Sequence, residues 1–283
     1  MKTILLLTDH SYSSFNAARY ALTFAGTFES SKIILYNSYY DLLGSSGEIA
    51  FITVESDSLK AESNQRMEDL QLSLEPFRNA NTRIETLTDE RPLITAVSDI
   101  SRDHHVDFII AGSKNRSALG MLLIGSQIFD LIKNVHLPVL IIPTAYIFEP
   151  VYSAVLATDL LEVEKMPRML INQFINDYRC RLLVLNVDTN GEESSDIDQI
   201  MGIGKLHRLL DGNLIDYYYT NHRNIGKGIR EFCNEHHAGL IIVIHKEHSF
   251  LHKLFYKSVE KEMVMYSDVP VLILNQLLEG HAY

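Results

Sequence analysis

One segment occurs twice in this chain: DHHVDFIIAGSKNRSALGMLLIGSQIFDLIKNVHLPVLIIP at residues 103–143, and EHHAGLIIVIHKEHSFLHKLFYKSVEKEMVMYSDVPVLILN at residues 235–275. The copies align without a gap at a constant offset of 132 residues. Each copy contains an apolar run, a polar loop, a helical pattern and a second apolar run that follows a proline. A repeat of this length predicts two domains with the same architecture.

The length of the chain indicates the same division, because 283 residues suit two domains of about 140 residues better than one core. We expect a first domain at residues 1–145 and a second at residues 151–283. The segment 144–152 follows Pro143, contains Pro150 and is typical of a linker. The longest irregular segment, 39–55, is typical of a lid or a contact surface.

Short apolar runs alternate with longer helical patterns in both halves. Most runs are apolar throughout, which is typical of strands buried on both faces of a parallel sheet. The predicted strands are 3–8, 32–37, 83–88, 108–111, 139–142, 154–157, 181–186, 214–219, 240–243 and 271–274. The predicted helices are 13–26, 56–80, 93–104, 126–134, 163–177, 195–211, 225–236 and 258–267, with Ser13 and Ser126 as amino-terminal caps. The fold class is therefore α/β: two tandem Rossmann-like domains, each a five-stranded parallel sheet with helices on both faces.

The charge of the chain argues against a nucleic-acid partner. The formal net charge is −11; residues 1–145 carry 12 basic and 17 acidic residues, which leaves 13 and 19 for the rest. Neither half offers the basic field that a phosphate backbone needs. No apolar run reaches the roughly 20 residues that span a bilayer, so we expect no membrane partner. Cys180 and Cys233 make no disulfide framework, which is typical of a cytoplasmic protein; we interpret both as packing residues.

Residues suited to ligand binding follow two predicted strands of the first domain. Asp9 follows the first strand, where it can accept from a ribose hydroxyl, hold a metal, or only cap the next helix. After the fourth strand the chain reads Gly112-Ser-Lys-Asn115, then nine residues, then Gly125-Ser126. Glycine lets backbone amides face a phosphate, and asparagine is the next best residue for a positive φ. Ser126 is predicted to open a helix whose first amides form an anion site; the alternative is a surface turn without a ligand.

The pattern Gly112-x2-Asn115-x9-Gly125-Ser126, set between a buried strand and a helix, resembles the universal stress protein family. That family's pattern is Gly-x2-Gly-x9-Gly-Ser/Thr, with an aspartate closing the first strand, so Asn115 departs from it. The resemblance covers nearly the whole chain as two tandem domains and implies an adenine nucleotide α-hydrolase-like fold. In ATP-binding members the loop contacts the phosphates, whereas the aspartate and a residue closing the second strand contact the nucleoside. The nucleotide contacts that the resemblance implies here are Asp9, Asn37, Gly112, Asn115, Gly125 and Ser126.

The resemblance also implies a cofactor and partners. The cofactor is ATP, with or without Mg²⁺, and its bound state would be reported to an unidentified protein partner during stress. The last strands, 139–142 and 271–274, would pair within the chain or between the two chains of a homodimer. Beyond Asp9 we find no general base or metal-binding carboxylate pair, so hydrolysis would be slow at most.

The second domain departs further from the pattern. Ile244, Glu247 and Lys257 stand where the first domain has Gly112, Asn115 and Gly125. These side chains should fill the phosphate path, so we expect a structural or regulatory domain that binds no nucleotide. His245, His248 and His252 would share a face if their segment were helical, a spacing that metals use, but histidines in loops more often bind nothing.

Two other hypotheses remain open. The chain could be an interaction or scaffold module that never touches nucleotide, which the asparagine at 115 and the altered second loop favour. It could also be an enzyme of the related adenylating group, whose first loop resembles Ser-Gly-Gly-x-Asp-Ser. Here that loop reads Thr-Asp-His-Ser-Tyr-Ser at residues 8–13, which disfavours adenylation.

Overall fold

A computed structural model describes residues 1–40, 52–113, 121–160, 162–189, 197–210, 214–246, 263 and 267–276. The chain divides into two compact units, Met1–Phe148 and Glu149–Tyr283. We call them the first and the second unit.

The described residues of the first unit form five parallel strands with helices between them. In chain order the elements are β1 (Lys2–Leu7), α1 (Tyr12–Ala25), β2 (Ser31–Ser38), α2 (Ile52–Leu74), β3 (Thr82–Asp89), α3 (Leu93–Asp103), β4 (Phe108–Gly112), α4 (Met121–Asn134) and β5 (Val139–Ile142). The strand order is β3-β2-β1-β4-β5, and each neighbouring pair is parallel.

The described elements of the second unit follow the same order as those of the first, and most of the segment between β9 and β10 lies outside the described residues. The elements are β6 (Ser153–Ala157), α5 (Arg168–Tyr178), β7 (Arg181–Asp188), α6 (Ile197–Leu209), β8 (Ile215–Asn221), α7 (Ile225–Glu235), β9 (Leu240–His245) and β10 (Val271–Asn275). The strand order is β8-β7-β6-β9-β10, again in parallel. The predicted α/β class, with a five-stranded parallel sheet in each half, is confirmed.

The central strands are buried on both faces, as their continuous apolar runs predict. In β1, β2 and β4 the residues Ile4, Leu5, Leu6, Ile33, Ile34, Ile109 and Ile110 are at most 1% exposed. On α1 the small side chains of Ala17, Ala18 and Ala21 are buried, which lets this helix pack closely on the sheet.

Two predicted helix starts were wrong. The amino-terminal cap of α1 is Ser11, whose Oγ accepts from the Ser14 amide, and Ser13 lies inside the first turn. Ser11 has the extended backbone that a cap requires. Helix α4 is already formed at Met121, five residues before Ser126. Ser126 therefore does not open the helix.

Two other predicted helices are interrupted by proline. The helix predicted at 56–80 runs instead from Ile52 to Leu74 and is followed by a 3₁₀ turn at Glu75–Phe77. Pro76 lacks an amide hydrogen and cannot continue an α-helix. The helix predicted at 163–177 splits into a 3₁₀ turn, Val163–Lys165, and α5. Pro167 forces Met166 into an extended conformation. Most of the helix predicted at 258–267 lies outside the described residues.

Cys180 and Cys233 are free and buried. Burial raises the pKa of Cys180 to about 11 and that of Cys233 to about 12, so both remain thiols at neutral pH. Among the residues that the structure covers, no helix is long and apolar enough to cross a membrane.

Candidate functional site

A cavity of about 570 Å³ opens at the carboxyl ends of β1, β2 and β4 in the first unit. The strand order reverses here, because β2 and β3 lie on one side of β1 whereas β4 and β5 lie on the other. Open α/β sheets bind their ligands at such a reversal, where two neighbouring connections lead to opposite faces. The polar residues of the lining include Thr8, Asp9, His10, Ser14, Asn37, Ser38, Glu62, Ser63 and Arg66.

The structure brings half of the predicted site residues to this cavity. Asp9, Asn37 and Gly112 line it. Asn115 lies outside the described residues. Gly125 and Ser126 belong to α4, and the two residues that follow them, Gln127 and Ile128, line the cavity.

The turn after β1 is held by its own side chains. The Thr8 Oγ1 accepts from the His10 amide at 3.1 Å, and the Asp9 Oδ1 accepts from the Ser11 amide at 3.1 Å. His10 has a φ of 59°, in the left-handed region. Asp9 thus supports the entry into α1 through the capping residue Ser11, while its exposed carboxylate lies at the mouth of the cavity.

Asn37 is buried, and both ends of its amide are engaged within the protein. Its Nδ2 donates to the Thr8 carbonyl at 2.7 Å, and its Oδ1 accepts from the Ser63 Oγ at 2.8 Å. The second unit repeats the first bond, since the Asn186 Nδ2 donates to the Thr158 carbonyl at 2.9 Å. This asparagine therefore joins the end of the second strand to the turn after the first strand in both units.

Asn37→Leu is expected to lower the free energy of unfolding by about 2 kcal/mol, because it leaves the Thr8 carbonyl and the Ser63 hydroxyl without their partner. Urea unfolding followed by circular dichroism measures the change. Asn64→Leu is the matched control, since Asn64 is exposed on α2 and accepts only a surface hydrogen bond, from the Thr88 Oγ1, among the described residues; we expect it to change the stability by no more than about 1 kcal/mol. Equal losses in the two variants would contradict the role of Asn37.

Gly112 is required by packing. A Cβ at this position would lie 2.4 Å from the Ser13 carbonyl oxygen and 2.6 Å from the Ser13 carbonyl carbon. Both atoms belong to the backbone of the first turn of α1, so neither can rotate away. The sequence predicted the glycine for the approach of a phosphate, whereas the structure supplies a second reason, the close contact between β4 and α1.

The sequence analysis did not predict that one face of α2 lines the cavity. Leu59, Glu62, Ser63 and Arg66 line the cavity at the spacing of neighbouring helical turns. Apolar and polar residues show little segregation along this helix, so the pattern did not indicate which side faces the sheet. Arg66 brings a cation to the wall, where its Nη2 donates to the Glu62 Oε1 at 2.6 Å.

The histidine of the turn is also in the wall. Burial, followed by the nearby Arg66 guanidinium, holds the pKa of His10 below its ordinary value. The neutral imidazole therefore predominates at pH 7.

The equivalent region of the second unit is built differently. The Lys246 Nζ lies 2.8 Å from the Asp159 Oδ1, and the two side chains are only 6% and 20% exposed. Ile244, which replaces Gly112, is buried in β9. The connection from β6 to α5 spans ten residues, 158–167, whereas that from β1 to α1 spans four, 8–11. Ile244 is larger than Gly112 and needs more space, and the longer connection between the strand and the helix is consistent with that need.

The histidine cluster proposed from the sequence lies largely outside the described residues. His245 ends β9, but His248 and His252 fall in a segment that the structure does not describe. Over the described ranges no group of three or more His, Cys, Asp or Glu side chains is arranged to hold a metal ion.

Comparison with known proteins gives a family and a fold. The sequence profile of the Universal stress protein family matches residues 1–143, just over half of the chain. A universal stress protein from Archaeoglobus fulgidus DSM 4304 has a similar structure, with a TM-score of 0.60 at 17% identity over 96% of this chain and 98% of that one. A protein of unknown function from Pseudomonas aeruginosa PAO1 gives a TM-score of 0.61 at 13% identity over 98% and 93% of the two chains. At these identities the structures show a shared fold alone.

No curated protein sequence matches this chain significantly. The family match, the parallel sheet and the cavity at the strand reversal agree with the resemblance found in the loop pattern. This chain therefore belongs to the universal stress protein family.

Proposed function

We propose that the first unit binds an adenine nucleotide, ATP, in the cavity at the carboxyl ends of β1, β2 and β4. The observation that carries the proposal is the cavity itself, whose volume of about 570 Å³ lies within the range of small-molecule sites, about 300–1,000 Å³. It lies at the strand reversal and within the residues that match the family. Bound ATP would then be reported to a protein partner as part of a stress response.

The lining supports a ligand with one uncharged and one anionic end. Asp9 and the turn after β1 offer hydrogen-bonding groups at the end of the first strand. Arg66 adds a cation on α2, and α4 contributes Gln127 and Ile128 next to Gly125 and Ser126. We assign Asp9 and Asn37 to the nucleoside side, and Gly112, Asn115, Gly125 and Ser126 to the phosphate side. Any Mg²⁺ would enter with the phosphates.

We assign the second unit a structural or regulatory role. Its aspartate, Asp159, is paired with Lys246, and an isoleucine replaces Gly112. Pairing between the last strands, 139–142 and 271–274, within one chain or between two, remains a prediction.

A second candidate is a nucleotide-independent interaction module of the same fold. Two observations favour it: packing against α1 suffices to explain Gly112, and the amide of Asn37 is engaged by Thr8 and Ser63. Under this alternative the cavity is a by-product of the fold.

Nucleotide extraction and calorimetric titration distinguish the two candidates. We expect one ATP per chain, and at least tenfold weaker binding in Gly125→Lys, which copies Lys257 of the second unit and fills space that backbone amides need. Asn134→Lys is the control, because it adds the same charge at an exposed position of the same helix. We expect this control to bind as the wild type does. Absence of both extracted nucleotide and titration heat in the wild type would favour the interaction module.

A further inference from the structure

The edge strand of the second unit, β8, offers backbone groups to a further strand. Among the described residues, β8 pairs with β7 alone. The Leu182 amide donates to the Leu214 carbonyl at 2.8 Å, and the His222 amide donates to the Asp188 carbonyl at 2.9 Å. Because backbone groups alternate in direction along a strand, the even-numbered residues of β8 bond to β7, whereas the amide and the carbonyl of Tyr219 face the outer edge.

β8 is more aromatic than its counterpart in the first unit. Thr88 of β3 lies opposite Asn37, and Tyr219 of β8 lies opposite Asn186, the residue equivalent to Asn37. Tyr219 therefore replaces a threonine, and it is 46% exposed. Its hydroxyl oxygen lies 3.0 Å from the Nε2 atom of His207 in α6, which orients the ring. An added strand would thus meet an exposed aromatic side chain of defined orientation.

The two edge strands also differ in charge. Charged side chains are one means by which edge strands avoid unintended pairing. β3 carries three of them, Arg83, Glu85 and Asp89. β8 carries only Asp216, and its carboxylate is paired with the Arg181 guanidinium. The edge of the second unit therefore lacks a protection that the edge of the first unit has.

The cations around β8 indicate which kind of strand would pair with it. Arg208 is exposed in α6 next to His207, Arg223 is exposed just after β8, and neither guanidinium forms an ion pair within the part of the chain that the structure describes. A second copy of this chain would bring the same cations together, and like charges disfavour such pairing. An acidic strand would instead place carboxylates beside both guanidiniums.

We propose that the β8 edge of the second unit binds an extended, acidic segment of a partner protein, which adds to the sheet as a further strand. Main-chain hydrogen bonds supply the affinity, whereas Tyr219, Arg208 and Arg223 select the side chains of the added strand. This role does not depend on ATP binding by the first unit. It gives the second unit a contact with a protein partner that the loop pattern does not contain.

Titration of the full chain with two labelled peptides, followed by fluorescence anisotropy, tests the proposal. Both peptides have blocked ends and about eight residues, within the usual length of a strand; one alternates glutamate with valine and the other lysine with valine. We expect the glutamate peptide to bind about tenfold more tightly, because only this peptide complements Arg208 and Arg223. Its binding should slow amide hydrogen exchange in residues 215–221, and added salt should weaken it.

Variants of the edge separate the backbone contribution from that of the side chains. Tyr219→Pro removes an outward amide but no hydrogen bond to β7, and proline is tolerated at such positions of edge strands. Tyr219→Thr copies Thr88 of the first unit. We expect both variants to bind the glutamate peptide about tenfold more weakly, the loss expected for one hydrogen bond or one packed ring. Replacing Arg208 and Arg223 together by glutamine should abolish the preference for glutamate.

Tyr12→Thr is the control, because Tyr12 is an exposed tyrosine of the first unit, and we expect it to bind as the wild type does. A wild type that binds neither peptide, or both equally, would overturn the proposal. So would unchanged binding by Tyr219→Pro and Tyr219→Thr variants whose melting temperatures show that they are folded. A dimer in sedimentation that Tyr219→Pro converts to a monomer would assign the edge to a second copy instead. None of these outcomes affects the proposal of ATP binding, which has its own titration.

Discussion

Gly112→Ala is expected to lower the free energy of unfolding by about 3 kcal/mol, at the upper end of the cost of overpacking. The added methyl group would lie 2.4 Å from the Ser13 carbonyl oxygen and 3.1 Å from the Ser14 amide nitrogen. Because these atoms belong to the first turn of α1, relief requires the helix to move away from β4. Chemical denaturation of the full chain measures the loss.

The control for this substitution is Gly204→Ala in α6. Among the described residues, a Cβ at Gly204 meets only the Arg208 Nη1, at 4.0 Å, and alanine is the better helix former by about 1 kcal/mol. We therefore expect Gly204→Ala to stabilise the protein slightly. A Gly112→Ala variant as stable as the wild type would show that α1 and β4 are not in the close contact seen here.

The second large effect is expected from Asp159→Asn, which should lower the free energy of unfolding by about 3 kcal/mol. The Lys246 side chain is 6% exposed, and removing the charge of Asp159 takes away its hydrogen-bonded carboxylate, although the Glu162 carboxylate still acts on Lys246. Thermal or urea unfolding measures the change. Replacing both partners, in Asp159→Asn with Lys246→Met, should restore most of the loss, because the buried charge is then gone.

A more exposed ion pair supplies the comparison. Asp216 and Arg181 pair on the second unit with side chains 39% and 61% exposed, so Asp216→Asn should cost no more than about 1 kcal/mol. If Asp159→Asn costs as little as Asp216→Asn, the Asp159–Lys246 pair does not stabilise the second unit.

The prediction for Gly112 also affects how binding data on variants of this residue are interpreted. Loss of nucleotide binding in a Gly112 variant would not by itself identify a phosphate contact, since α1 would move as well. Gly125→Lys is a better probe of the cavity, because the second unit already carries Lys257 at the equivalent position.

Much of the fold could be predicted because strands depend on short local runs. The predicted strand 139–142 has the same bounds in the structure, and the others differ by at most two residues at either end. Helix ends were harder, since they depend on which of several candidates becomes the cap. Ser11 and Ser13 are equally good caps by composition, and only the structure shows that Ser11 has the extended backbone and accepts from the Ser14 amide.

The candidate site was predicted less completely. Of the predicted residues, Asp9, Asn37 and Gly112 line the cavity, because they end or follow strands that meet at one edge of the sheet. His10 and Arg66 were missed: His10 depends on the backbone conformation of one turn, and Arg66 on the face that α2 presents. Neither property is encoded in a short pattern.

The sequence by itself determined the α/β class, the two repeated halves and the family pattern, because apolar periodicity and loop spacing are local properties of the chain. Only the tertiary structure decided which contacts the residues at equivalent positions of the two units make. Gly112 is pressed against the first turn of α1 because four residues join β1 to that helix, whereas ten residues separate β6 from α5 and Ile244 occupies the equivalent position. Asp159 meets Lys246 across 87 residues of sequence, a pairing that exists only once β6 and β9 lie side by side.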